Sequence, residues 1–146
     1  MSRFATLIRQ TRRRQSLAAE AAWRMALARA SIRRHGQHGA LAVVGNRGDV
    51  DSAAVDDGLK PLLRDLGWAI EATAKTLPWN TECLTQAIAA ARMLSRRDIP
   101  WQIHVGLARA DDEELIAHAW VSCGTRVLVG GAGVERFARL VTYASR

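Results

Sequence analysis

A cysteine placed just after a helix-start signal constrains the fold of this chain more than any other feature. Cys83 opens the run CLTQAIAAARML, whose leucine, isoleucine and alanine residues recur at the spacing of one helix face. Pro78 disfavours helix in the residue before it, and Asn80 or Thr81 can cap the first turn. The pattern predicts an apolar helix with Cys83 about two or three positions inside it.

The start of a helix is a favourable place for a nucleophilic cysteine. The positive end of the helix dipole favours thiolate over thiol, and the thiolate is the reactive form. Glu82 suits the same end of the helix because its carboxylate is negative. The backbone N–H of Cys83 lacks an acceptor within the helix, so it can donate to an oxyanion. Cys83 is therefore the candidate nucleophile.

A histidine in strand-like sequence supplies a matching base. Residues 101–107 alternate apolar and polar side chains as a half-buried strand does, and residues 116–121 form a second strand-like run. In the second run His118 and Trp120 point one way, whereas the alanines beside them point the other. If the cysteine helix packs on the face that carries His118, the imidazole can take the thiol proton and pass it to a leaving amine.

The order of these segments predicts an α+β fold. N-terminal helices come first, and a cysteine-bearing helix then packs on a small antiparallel sheet, which is the chain order of papain-like and transglutaminase-like cysteine enzymes. We expect the 146 residues to form a single domain, long enough to bury a core. Residues 1–58 are its helical N-terminal part, and residues 59–146 are its catalytic core.

Shorter signals place the other elements. Residues 16–35 form an amphipathic helix, and a second helix covers residues 59–76. The glycines and histidines of residues 35–39 indicate a plain loop. Residues 41–44 form a short strand or the end of a buried turn, and residues 137–143 form the final strand.

The sequence predicts no cofactor and no metal. His35 and His38 lie close together, but no Cys, Asp or third His accompanies them, so a turn is expected rather than a metal site. The glycine-rich residues 130–133 lack the preceding strand and following helix of a phosphate-binding loop. Two cysteines, Cys83 and Cys123, argue against a disulfide framework and fit a reducing cytoplasm.

The strongly basic composition leaves a second class of function open. The formal net charge is +7, and arginines crowd the first 34 residues. A basic nucleic-acid-binding protein is one interpretation, but no aromatic residues are interleaved for base stacking, so a solvated helix face is favoured. The apolar runs are too short to span a membrane, and no signal peptide is apparent. We expect a cytoplasmic protein that binds neither nucleic acid nor membrane.

A closer resemblance rests on residues spread over the second half of the chain: Leu77-Pro78-Trp79, Cys83-Leu84, Gln86-Ala87, Leu94, Arg97, Ile99-Pro100, Ile103, Val105-Gly106, Ala117-His118-Ala119-Trp120-Val121, Cys123-Gly124 and Gly130-Gly131. In these residues the chain resembles the leader peptidase of lasso-peptide biosynthesis, which is the protease half of the B protein and has a transglutaminase-like fold. The resemblance implies that Cys83 is the nucleophile and His118 the base. It also implies cleavage after a short recognition element, commonly with Thr just inside the leader end.

The third catalytic position departs from that family. The family usually completes a triad with an acidic residue on the strand after the histidine. In a hairpin that turns near Gly124, His118 faces Gly131 with Gly130 adjacent, so this chain offers glycine where the resemblance expects Asp. We therefore expect a dyad whose imidazole is oriented by a backbone carbonyl or a water, and we keep Glu135 as the alternative acid.

The resemblance also implies partners. The substrate is the leader region of a precursor peptide, and family systems recognise the leader through a small winged-helix-type domain. The region before Leu59 is too short and too helical to hold that domain, so a separate leader-binding protein is expected. The ATP-using macrolactam cyclase that acts next is a further candidate partner. The alternative from the binding class is a non-catalytic transglutaminase-like module that only docks a peptide.

Overall fold

An antiparallel sheet, covered on one side by helices, forms the part of the chain that the computed structural model describes, which is residues 12–48, 55–77 and 82–145. Its elements are α1 (Arg12–Val44), β1 (Asn46–Arg47), α2 (Lys60–Thr76), α3 (Cys83–Arg96), β2 (Gln102–Arg109), β3 (Leu115–Cys123), β4 (Arg126–Val129) and β5 (Ala138–Ala144). Short 3-10 turns precede α2 and β5. The arrangement confirms the predicted α+β fold, with Cys83 in a helix against a small antiparallel sheet.

The sheet has one side that faces the helices and one that faces away from them. Its strand order is β1-β5-β2-β3-β4, and every neighbouring pair is antiparallel. On β3, Ala119, Val121 and Cys123 belong to the core shared with the helices. Since successive side chains of a strand alternate, His118 and Trp120 point to the opposite side.

Small side chains allow α3 to lie at the centre of the core. Ala87, Ala89, Ala90 and Ala91 are fully buried, so neighbouring elements approach the helix backbone closely. The amphipathic pattern of α1 is confirmed, since its core side carries Leu17, Ala21, Met25 and Ala28. The second helix predicted from the sequence is confirmed as α2, with Pro61 in its first turn, where a missing N–H costs nothing.

The predicted loop at residues 35–39 is wrong, because α1 continues through it. The helix is interrupted only at Gly36, whose backbone takes φ 75° and ψ 175°, a conformation that favours glycine. Gly39 allows the next turn to close on His35, since a Cβ at residue 39 would lie 2.8 Å from the Cβ of His35. The two glycines that indicated a loop therefore permit a kink.

Residues 41–44 were predicted to be a short strand or the end of a buried turn, and the strand alternative is wrong. These residues end α1 and bury Leu41 and Val44 against the core. The strand follows at once, since Asn46 and Arg47 form β1 and pair with the end of β5. Helix periodicity and strand alternation cannot be told apart in so short an apolar run.

Several sequence predictions fall outside the described residues. They concern the helical pattern of Phe4, Leu7 and Ile8, and the helix-start signals at Pro78, Asn80 and Thr81.

A charged cluster ties α1 to the end of α3. Arg97 donates from both terminal nitrogens to the Glu20 carboxylate, at 2.7 and 3.1 Å, and Arg96 donates to it at 3.0 Å. Burial alone raises the pKa of Glu20, but the hydrogen bonds and charges of the two arginines outweigh it and hold the pKa below its usual value. The cluster therefore stabilises the fold only while Glu20 is ionised.

We expect Glu20→Gln to lower the free energy of unfolding at pH 7 by about 1.5–3 kcal/mol, the range for hydrogen bonds to charged groups. Because the folded pKa lies below the unfolded value of about 4.3, the difference from wild type should shrink as the pH falls below that value. Urea denaturation at pH 7 and at pH 4 or lower measures both effects.

The matched control is Asp57→Asn, which removes the exposed ion pair between Asp57 and Lys60. Exposed pairs of this kind contribute little, so this variant should unfold as wild type does at each pH. Equal losses in the two variants would show that the Glu20 cluster has no special role.

Candidate active site

A cavity of about 360 Å³ lies between the start of α3, the part of α1 beyond its kink, and the sheet. Cys83 and Glu82 line it from α3, and Gln37 and His38 line it from α1. His118 contributes to the same wall from β3. The structure therefore brings the two predicted catalytic residues to one cavity.

Cys83 is the first residue of α3, somewhat earlier in the helix than the sequence predicted. Glu82 is the N-cap, with an extended backbone and no side-chain hydrogen bond to the helix. The first helical hydrogen bond of this end runs from the N–H of Gln86 to the carbonyl of Glu82, at 3.1 Å. The N–H of Cys83 precedes it and has no acceptor in the helix, as the oxyanion role requires.

Cys123 is a poor rival for the nucleophile. It ends β3 with no exposed surface, whereas Cys83 is only partly buried, and both are free cysteines. Burial raises the pKa of the Cys123 thiol to about 11, so it is protonated at neutral pH. Exposure and position therefore favour Cys83.

His118 alternates along β3 with the residues of the shared core, lines the cavity of Cys83, and packs its ring against two aromatic side chains. Its centroid is 6.0 Å from that of Trp120 and 5.0 Å from that of Phe137. The helix-facing positions of β3 are taken by alanine and valine instead. The hydrogen bond that the imidazole makes within the described residues goes to Gly130 rather than to Cys83.

A backbone carbonyl contacts the imidazole, as expected for a chain with glycine at this position. Nε2 of His118 lies 2.7 Å from the carbonyl oxygen of Gly130. A carbonyl can only accept, so Nε2 carries the proton and the neutral ring has Nδ1 free as an acceptor. Gly130 has φ 77°, and a Cβ there would lie 3.2 Å from Nε2 and 2.9 Å from the carbonyl oxygen of Ala119. A residue with a Cβ therefore cannot replace Gly130 unless the His118 ring or the backbone at Ala119 shifts.

The alternative acid, Glu135, lies in an exposed 3-10 turn, Val134–Arg136. The turn does fold back, with a hydrogen bond of 3.3 Å from the N–H of Val134 to the carbonyl of Gly131. The side chain that it brings against His118 is Phe137. An apolar ring thus occupies the place beside the imidazole where a carboxylate was considered.

Comparison with protein families matches residues 4–142 to the transglutaminase-like superfamily, nearly the whole chain. The chain belongs to that superfamily. The superfamily includes cysteine peptidases, so a partly buried cysteine at a helix start and a histidine on the adjoining sheet suit hydrolase chemistry. Comparisons with curated proteins and with solved structures find no match.

No helix within residues 12–48, 55–77 and 82–145 combines the length and the apolar character needed to cross a membrane.

Sequence reasoning missed a buried polar network on the side of this transglutaminase-like sheet that carries His118. His104 is buried, with Nδ1 3.0 Å from the Thr142 hydroxyl and Nε2 2.8 Å from the Ser122 hydroxyl. Its ring centroid is 5.5 Å from that of Trp120, which in turn contacts His118. Two bonded ring nitrogens fix the His104 ring and so support the aromatic residues beside His118.

Sequence reasoning also missed Gln37 and His38 as cavity residues. They face Cys83 only because α1 continues beyond Gly36 and turns at the kink. No pattern in the sequence indicates this placement, since it depends on one backbone conformation.

We expect Cys83 to react with iodoacetamide in the native protein near pH 7, while Cys123 reacts only after unfolding. Cys83 is accessible at a helix start, whereas Cys123 is buried and protonated. Peptide mapping after timed alkylation identifies the modified residue, and Cys83→Ala provides the blank. Native labelling of Cys123 at a comparable rate would contradict this assignment.

Proposed function

We propose that this transglutaminase-like chain is a cytoplasmic cysteine peptidase that removes the leader from a ribosomally made lasso-peptide precursor. The observation that carries the peptidase part is the placement of Cys83, partly buried at the first position of α3, in a cavity that His118 also lines. The choice of substrate rests on the sequence resemblance across the second half of the chain.

The proposed reaction uses three groups of this chain. The Cys83 thiol gives its proton to Nδ1 of His118, which the contact with Gly130 leaves free, and the sulfur attacks the scissile carbonyl carbon. The N–H of Cys83 donates to the resulting oxyanion. His118 returns the proton to the leaving amine, and water then hydrolyses the thioester to regenerate the thiol.

The contacts of the His118 ring favour one alternative, a transglutaminase-like module that binds a peptide without cleaving it. The imidazole lies with Trp120 and Phe137 and bonds to Gly130. Catalytic hydrogen bonds often tighten only when substrate is seated, so the shared cavity still supports the peptidase. Activity decides between the two.

Delivery of the precursor is assigned to a separate leader-binding protein. The described residues before α2 form the long helix α1, a two-residue strand and a 3-10 turn, which together do not make a winged helix. We propose that such a partner presents the leader to the cavity and that the macrolactam cyclase takes the released core peptide.

The precursor should be cleaved much faster with the leader-binding protein than without it, and equal rates would remove the partner from the proposal.

The central test is cleavage of a precursor by purified protein, followed by mass spectrometry, in the presence of its leader-binding protein. We expect Cys83→Ala to abolish cleavage with the fold intact by circular dichroism. His118→Ala should do the same, because the leaving amine still needs an acid. Cys123→Ala should keep most activity. An active Cys83→Ala protein would rule out the nucleophile, and binding of the precursor by wild type without any cleavage would favour the non-catalytic module.

The contact between Gly130 and His118 predicts a difference between two glycines of the same loop. Gly130 and Gly133 both have positive φ, but only at Gly130 would a Cβ meet the imidazole. Gly130→Ala should therefore lower kcat at least 10-fold, as loss of base orientation does, and Gly133→Ala should cost stability without a comparable loss of kcat.

Glu135→Gln completes the comparison. Near-normal cleavage supports the dyad with a backbone partner, since Glu135 is exposed and Phe137 contacts the ring. A loss of about 10⁴-fold, as for an orienting acid in a serine-protease triad, would show that Glu135 completes a triad during turnover.

A further inference from the structure

We infer that the cavity beside Cys83 is a recognition pocket for one bulky apolar side chain of the peptide substrate, aliphatic or aromatic. The inference rests on the proposed function and adds the class of residue that the peptidase selects. It comes from what lines the cavity and from which strand positions carry small side chains.

The cavity has an apolar floor and a polar mouth. Apolar side chains from α1, α3 and three strands form the floor: Leu41, Leu84, Val105, Ala119 and Val141. The polar lining residues, which form the mouth together with Cys83, are Gln37, His38, Glu82 and His118. None of the floor residues can hold a charge. A charged substrate side chain on this floor would therefore have no partner among the floor residues and would lie away from water, whereas an apolar one would lose only its contact with water.

The size of the cavity suits a large side chain. Its volume of about 360 Å³ lies within the range of ordinary ligand sites. Two alanines make this room on β3: Ala119 at the buried end and Ala117 at the exposed end. A glycine or alanine of the substrate would leave most of the pocket unfilled and lose the corresponding binding energy.

The polar mouth suits the backbone of an extended peptide. Gln37 and His38 are exposed on α1 and line the cavity opposite the sheet. Their side chains can donate and accept hydrogen bonds, which a peptide backbone requires wherever it leaves water. Gly36 sets their position, because its backbone conformation directs the last turns of α1 over the cavity.

The test uses dipeptidyl fluoromethyl ketones, which alkylate the active-site cysteine of cysteine peptidases. In each of two series one residue of the dipeptide is varied among Gly, Ala, Leu, Phe and Lys. Intact-protein mass spectrometry gives the rate of Cys83 labelling. In one of the two series we expect the Leu or Phe probe to react about 10- to 100-fold faster than the Gly and Ala probes, the range for apolar side-chain discrimination. The Lys probe should stay at the Gly level.

Ala117→Leu narrows the mouth of the pocket at an exposed position, where folding tolerates the change. It should lower the rates of the Leu and Phe probes at least 10-fold relative to the rate of the Gly probe. Ala117→Val should lower the rates of the same two probes by a smaller factor. Ala30→Leu, at an exposed position of α1 outside the cavity, is the matched control and should keep the wild-type preference.

The outcomes separate the pocket from the peptidase. Equal rates for all five side chains in both series, with every probe faster than with a free peptide cysteine, would overturn the pocket and leave the peptidase standing. A Leu-to-Gly ratio of labelling rates in Ala117→Leu equal to that of wild type would also overturn it. Failure of every probe to label Cys83 faster than a free cysteine would overturn the proposed peptidase, and the pocket with it.

Discussion

Close packing around α3 is the constraint on which the site depends. Four of its buried residues are alanines with no exposed surface, so α1 and the sheet can approach the helix backbone closely at those positions. The Glu20 cluster joins the far end of the same helix to α1. Since α3 begins at Cys83, whatever fixes the helix also fixes the sulfur, the dipole and an N–H that has no acceptor within the helix.

The two sides of the sheet contribute different parts of the site. The side towards the helices is apolar and small on β3, and it forms the floor of the cavity under Cys83. The other side holds His104, Trp120 and Phe137, whose contacts run in sequence to His118. These contacts support the imidazole from behind, while His118 itself lines the cavity that it shares with Cys83.

The order and type of the main helices and strands could be predicted from the sequence, because strong periodicity and one helix-start signal indicate them. The apolar helix at Cys83, the hairpin that carries His118 and the α+β class follow from spacing alone. Which side of β3 meets α3 does not follow, since alternation fixes only which residues share a side and tertiary packing chooses between them. The small Ala119, more than the large Trp120, fits against a helix already rich in alanine.

Glycine explains why the kink in α1 could not be predicted, and why the partner of His118 could be predicted only as a backbone carbonyl or a water. At Gly36 and Gly130 the sequence shows only a residue that permits unusual backbone, and the surrounding structure decides how it is used. In one case the result is a kink that carries Gln37 and His38 over the cavity, and in the other a carbonyl aimed at His118. Both departures from local rules occur beside Cys83 and His118, which is where function is expected to override local preference.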